Sequence, residues 1–186
     1  VEYRHGGQIR QVMAERELIV SSGTVNTARL LQVSGVGSAN VLASLGVNLV
    51  HELKGVGENF QDHFSVRVVA KVKNSITINE LARGPRLIGQ LARWATGRPN
   101  ILAIVPSLIH IFAKSNETLD LPDLQGVFAP ASFKAGYVGV LDDYPGMTCG
   151  FWPHRPESVG YIRARSTDPD EYPEIQANYI SAEHDR

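Results

Sequence analysis

The sequence predicts a chain of mixed α/β and α+β class: alternating strands and helices first, then an antiparallel sheet flanked by helices. Three observations carry this. Up to about residue 63, short apolar runs with extended or helical periodicity are separated by glycine-rich loops. Residues 64–73 then alternate in period two, and 75–97 carry a helical stripe. From residue 108 onward, short extended runs are punctuated by turn signals such as Asp168-Pro169-Asp170.

Each element has a local reason. Val1–His5 and Ile9–Ala14 flank Gly6-Gly7-Gln8, the pattern of a β-hairpin. Glu17–Val20 is a short apolar run ending at Ser21-Ser22-Gly23 and reads as a buried strand. Thr24 or Asn26 can cap a helix through Arg29–Val33 that stops at Gly35. Ser38 can cap a second helix, Ala39–Leu45, closed by Gly46, and Val47–Val50 follows as a short strand. Val66, Val68, Val69, Ala70 and Val72 set against Arg67, Lys71 and Lys73 predict a strand with one wetter face. The 75–97 segment should break near Gly84-Pro85, with Leu87, Ile88, Leu91 and Trp94 facing a core. Further strands are expected at Leu108–Lys114, Leu124–Pro130, Met147–Pro153, Gly160–Arg165 and Ile175–Tyr179.

Composition narrows the function classes. The chain has 186 residues, 43% hydrophobic and 20% charged, with net charge −1 and interspersed signs. That is globular and offers neither nucleic acid nor an anionic membrane a surface. Cys149 is the only cysteine, which excludes an intrachain disulfide and favours a reducing, cytoplasmic setting. The longest apolar run, Ile101–Ile109, contains Pro106 and Ser107 and is far short of the roughly 20 residues that cross a bilayer. No signal peptide is visible, and Val1 at the start implies that the chain begins inside a longer one.

Several familiar motifs are excluded. Gly35-Val36-Gly37-Ser38-Ala39-Asn40 and Gly55-Val56-Gly57-Glu58-Asn59-Phe60 both lack the third glycine of a dinucleotide fingerprint, and the first follows a helix pattern. There is no P-loop, no G-x-S-x-G elbow, and none of the six histidines lies in a metal-ligand spacing, so no metal is expected. Asp142-Asp143 reads as a solvated turn, and Asn116-Glu117-Thr118 is a glycosylation acceptor in form only. The adjacent Asp62-His63 is the one titratable pair in an informative context: either a functional pair or the anchor of its own loop.

That context carries a resemblance. Gly23-Thr24-Val25-Asn26-Thr27-Ala28-Arg29-Leu30-Leu31-Gln32-Val33-Ser34-Gly35-Val36-Gly37 resembles the second signature of the glucose–methanol–choline (GMC) oxidoreductases, with Ala28 where Pro or Ser is usual. Gly55-Val56-Gly57-Glu58-Asn59-Phe60-Gln61-Asp62-His63 is similar to that family's G-V-G-x-N-L-x-D-H, with Phe60 for Leu. Pro122-Asp123-Leu124-Gln125 resembles its P-D-aliphatic-Q. Pro156-Glu157-Ser158-Val159-Gly160, with Asp168-Pro169, Pro173, Ile175 and Asn178-Tyr179, resembles the opening of its C-terminal region.

The resemblance implies the central fragment of an FAD-dependent oxidoreductase, choline-dehydrogenase-like, that oxidises an alcohol by hydride transfer to flavin. Residues 1–63 would be part of a FAD-binding domain and 64–186 part of a substrate-binding domain. Ser22, Gly23, Asn59, Asp62 and His63 would lie against the cofactor. The partners would be a small-molecule alcohol and the remaining segments of the full-length chain. The family's catalytic histidine and fingerprint lie outside these residues, so no catalytic residue is assigned, His184 included. The isolated chain is expected to be inactive, to expose apolar faces and to aggregate. A non-catalytic remnant of the same fold and a family lyase (hydroxynitrile lyase) are the alternatives.

Overall fold

The computed structural model describes residues 1–104, 107–137 and 139–186. Val105 and Pro106 of the longest apolar run lie outside the described residues, as does Val138. In chain order the elements are β1 (Glu2–His5), β2 (Gln8–Gln11), α1 (Gly23–Val33), β3 (Val36–Gly37), α2 (Ala39–Ser44), β4 (His51–Glu52), β5 (Val66–Lys71), α3 (Ile78–Leu81), α4 (Gly84–Ala95), β6 (Ile109–Ala113), β7 (Leu124–Ala129), β8 (Gly146–Pro153), β9 (Tyr161–Arg163) and β10 (Glu174–Gln176). They fall into two compact units, residues 1–60 with 160–177 and residues 61–159 with 178–186. The class is the expected mixture of α/β and α+β.

In the first unit, β1 and β2 form the hairpin around Gly6-Gly7. Helix α1 turns Val25 and Ala28 inward and buries Gln32 completely. Its N-cap position is Ser22, whose side chain makes no capping bond, so neither Thr24 nor Asn26 caps it. Helix α2 ends as expected at Gly46. The Val47 N–H reaches back to the Leu42 carbonyl and the Gly46 N–H to that of Ala43, a Schellman ending.

Two strand expectations are corrected here. Glu17–Val20 is not a strand, and Leu18 and Ile19 are 62% and 78% exposed. An extended segment needs a neighbour's ladder, and among the described residues none pairs with it. The strand expected at Val47–Val50 instead forms at His51–Glu52, where it pairs in parallel with β3.

The interior of this unit is organised by one amide. The Gln32 Nε2 donates to the carbonyls of Ile162 (3.0 Å) and Val56 (3.3 Å), and its Oε1 accepts the Ala164 N–H (2.7 Å). Strand β9 pairs antiparallel with β10 rather than joining a sheet of the second half. Gly57 has φ +79, and its carbonyl accepts the Ile162 N–H at 2.7 Å. A Cβ on Gly57 would collide with the Ile162 carbonyl and come 2.5 Å from the Gln32 amide nitrogen. Only glycine meets both demands.

The second unit is built on a four-stranded antiparallel sheet of order β5-β8-β7-β6. The register pairs Val66 with Phe151, Arg67 with Gly150, Gly126 with Phe151, and Gln125 with Trp152. Side chains opposite one another share a face. One face is therefore apolar, with Val66, Val68, Leu124, Phe128, Met147 and Phe151. The other holds Arg67, His110, Phe112, Gln125, Thr148 and Trp152.

Helix α3 is tied down by buried Asn79, which accepts the Ser132 N–H (2.9 Å) and donates to the carbonyls of Ser132 (2.9 Å) and Asp142 (3.1 Å). Helix α4 starts at Gly84-Pro85, where proline's missing N–H costs nothing. Its stripe does not face a core as expected: Ile88 and Trp94 are 68% and 61% exposed. The described residues give that face no cover. Strand β5 likewise lacks a dry face, since Val66 and Val68 are 57% and 65% exposed.

Two outcomes follow from this packing. Gln32→Ala strands three buried main-chain groups and should lower unfolding stability by about 3 kcal/mol, read from denaturant midpoints. The 186-residue chain, with its apolar faces open, should bind a hydrophobic dye and self-associate in sedimentation. A dye-silent monomer with a sharp cooperative melt would contradict this.

Candidate functional site

The five residues expected at the cofactor divide between the units: Ser22, Gly23 and Asn59 in the first, Asp62 and His63 in the second. All five are exposed.

Ser22 and Gly23 do not end a strand as expected; they open α1. The first four N–H groups of a helix lack intrahelical partners and carry partial positive charge. No side chain caps them here, and the first turn contains no acidic residue. Gly23 adopts φ +79, and a Cβ built there meets nothing within 4 Å. The backbone is thus open to close approach by an electron-rich group. Asn59 sits in the left-handed region at φ 56, a conformation its short amide tolerates.

The loop carrying Asp62 and His63 is held by three bonds to the C-terminal part of the same unit. The Gln61 Nε2 donates to the Pro156 carbonyl (2.7 Å), and the Tyr179 hydroxyl donates to the Asp62 carboxylate (2.5 Å). The His63 Nε2 lies 3.0 Å from the His154 carbonyl, which can only accept, so this nitrogen carries the proton. Gln61, Asp62, His63 and Pro156 line a shallow depression of about 180 Å³. The Asp62 carboxylate holds the Tyr179 hydroxyl above the usual phenol range, chiefly by accepting its hydrogen bond and secondarily through desolvation and charge.

Behind this loop stands an aromatic cluster that the sequence alone does not bring together. The His63 ring lies 5.7 Å from Trp152 and 6.4 Å from His154, and Phe112 meets His154 edge-on at 5.4 Å. Gln125 orders it. Its Oε1 accepts from the Trp152 indole (3.2 Å) and lies 3.0 Å from the His154 Nδ1. The indole only donates, so the amide oxygen must face it, and His154 carries a proton on Nδ1. The signals for Gln125 and Tyr179 are their places in Pro122-Asp123-Leu124-Gln125 and Asn178-Tyr179; Trp152 and His154 carry no comparable sequence signal.

Asp185 is a further anchor, in a 3-10 turn at Glu183–Asp185. It accepts the N–H groups of Glu157 (2.9 Å) and Ser158 (2.8 Å). Burial pushes its carboxyl up, but bonds from the Ser158 side chain and these two amides outweigh that and hold it low. Among the described residues no cluster of three potential ligands could hold a metal ion, and no helix is long and apolar enough to cross a membrane.

The Tyr179–Asp62 pair is testable by titration. A raised phenol contributes stability below the unfolded-state value, about 10, and loses it as pH rises through the folded-state value. In Asp62→Asn the tyrosinate absorbance difference spectrum should show one phenol returning toward that ordinary range. Superimposable curves would remove the bond from this account.

Comparison with known proteins follows the same lines. Residues 1–65 match the family model described as GMC oxidoreductase. The whole chain is 35% identical to the oxygen-dependent choline dehydrogenase of Photobacterium profundum and 32% identical to the mitochondrial choline dehydrogenase of Homo sapiens. It spans about a third of the length of these relatives, 33% and 31%. Among solved structures, formate oxidase superposes with a TM-score of 0.84 at 22% identity, covering 96% of this chain and 36% of the other. A FAD-dependent oxidoreductase from Chaetomium thermophilum gives 0.68 at 18% identity, covering 92% and 35%. These structural likenesses establish the fold. Residues 1–65 are thus similar to the GMC oxidoreductases, and along its whole length the chain is similar to choline dehydrogenases.

Proposed function

We propose that this chain is the central part of a FAD-dependent oxidoreductase that oxidises a small-molecule alcohol. The observation that carries the reading is the similarity to choline dehydrogenases along all 186 residues, not along the flavin-side motifs alone. In this reading residues 1–60 with 160–177 belong to the flavin-binding domain, and the sheet unit belongs to the substrate-binding domain. The boundary falls near residue 63, and a later segment returns to the flavin side. The protein functions in a reducing, cytoplasmic compartment, consistent with a lone thiol, Cys149.

The residues present fit the cofactor. The uncapped start of α1 at Ser22-Gly23, with no Cβ in the way, suits an electron-rich edge of the flavin. Asn59 presents a loop amide, and Asp62 and His63 sit on the loop that Tyr179 and the His154 carbonyl hold still. Bound FAD would supply the hydride acceptor for the substrate's CH–OH carbon. This chain's share is binding and orientation; no residue in it is assigned as the base.

The full-length protein that contains this chain should release FAD on denaturation, and its flavin absorbance should bleach when an alcohol substrate is added without oxygen. Gly23→Val, which puts a branched side chain on a left-handed backbone at the opening, should lower flavin occupancy several-fold. A colourless protein, or product formation from a cyanohydrin without flavin bleaching, would refute alcohol oxidation.

A further inference from the structure

The Arg67-bearing face of the four-stranded sheet carries a hollow of about 280 Å³, and its lining includes Arg67 and Thr148 with Gly150, Val127, Ala129, Phe133 and Trp152. The register puts Arg67 directly opposite Gly150. Because Gly150 has no side chain, space opens beside the Arg67 stem; a Cβ there would sit 3.6 Å from the Arg67 Cγ. No acidic residue lines the hollow. Among the described residues no carboxylate lies within ion-pair distance of Arg67, whereas Arg4, Arg83, Arg86 and Arg163 each have one. The Thr148 hydroxyl donates to the Ala131 carbonyl (2.8 Å), so its oxygen is turned into an acceptor toward other groups.

Arg67 is exposed, and its guanidinium is open to an anion from solvent. Its five donors in a planar fork match a carboxylate bidentately. The neighbouring Trp152 and Phe133 supply apolar walls for a short carbon chain. A quaternary ammonium would gain from the Trp152 face but would meet a full positive charge in the same hollow.

We infer that this hollow receives the non-reacting end of the substrate and that Arg67 binds a carboxylate there, so that the alcohol oxidised is acid-bearing rather than choline-like. The inference rests on the oxidoreductase reading above for its link to a reaction, but the anion site itself does not.

Butyrate serves as the probe, titrated calorimetrically into the protein as isolated, with tetramethylammonium and n-butanol as charge controls. Butyrate should bind best of the three. Arg67→Gln should weaken it about tenfold or more, the scale of a lost hydrogen bond to a charged group, while Arg67→Lys keeps part of the affinity. Gly150→Val, which leaves every charge in place and fills the hollow, should also weaken butyrate. Unchanged butyrate affinity in Arg67→Gln and Gly150→Val, or tighter binding of tetramethylammonium than butyrate, would overturn the site. Flavin content is read separately: Arg67-dependent butyrate binding in a protein that holds no flavin would sink the oxidoreductase reading and leave the anion site standing.

Discussion

The first unit depends on the side chain of Gln32. Its amide uses its oxygen and both lines of its nitrogen's donation on main-chain groups of Val56, Ile162 and Ala164. Gln32 and these partners lie in three separate motifs: the signature that contains Gln32, the Gly55-Val56-Gly57 loop and the Gly160–Arg165 segment. Motifs more than 100 positions apart are therefore not independent markers. They are three sides of one fully buried polar junction, and each is constrained by the others. The glycine at position 57 is required because the Ile162 carbonyl occupies the space a Cβ would need. A buried amide left without partners is costly, so the junction forms whole or not at all.

Asn79 plays the matching part in the second unit, joining α3 to the main chain at Ser132 and Asp142. That both units are pinned by amides reflects how little apolar interior they own. Among the described residues the buried apolar side chains are Leu42, Val56, Ala129, Ala131, Ile162 and Ala164, most of them small. Meanwhile Ile88, Trp94, Val66, Val68 and Ile109 stay more than half exposed. Hydrophobic burial scales with area removed from water, so these units draw much of their specificity from directed hydrogen bonds, and their large apolar faces remain available for other surfaces.

What the sequence made legible follows from the same physics. The hairpin, α2 with its Gly46 ending, the break at Gly84-Pro85 and all four strands of the main sheet were readable, because each is encoded by local period or by a residue with one conformational use. Glu17–Val20 failed because a strand is defined by a partner, and periodicity cannot supply one. The α4 stripe was correctly helical, but a stripe says only that a face is apolar, not that something covers it. At the site, Asp62-His63 stood out through its motif. Its holders, Tyr179 and the His154 carbonyl, lie 117 and 91 positions away and are brought in by the fold alone. Arg67 was read as one of the wetter residues of β5, and only the strand register shows that it opposes a glycine.

That register deserves a physical cause, since period two means that a slip of one residue would exchange the two faces of the sheet. The cause lies on the apolar side. A Cβ on Gly126 would lie 2.5 Å from the Phe151 ring, so the ring seats directly on a residue with no side chain. On the opposite face Gly146 makes a similar close fit under Ser132, where a Cβ would strike the hydroxyl. Shifting β8 by one place along β7 would drive Phe151 over a side chain and put Thr148 and Trp152 on the apolar face. The Gly126–Phe151 fit on one side of the sheet thus holds Gly150 opposite Arg67 on the other. The packing that stabilises the sheet and the hollow that gives it a chemical face are set by the same alignment of strands.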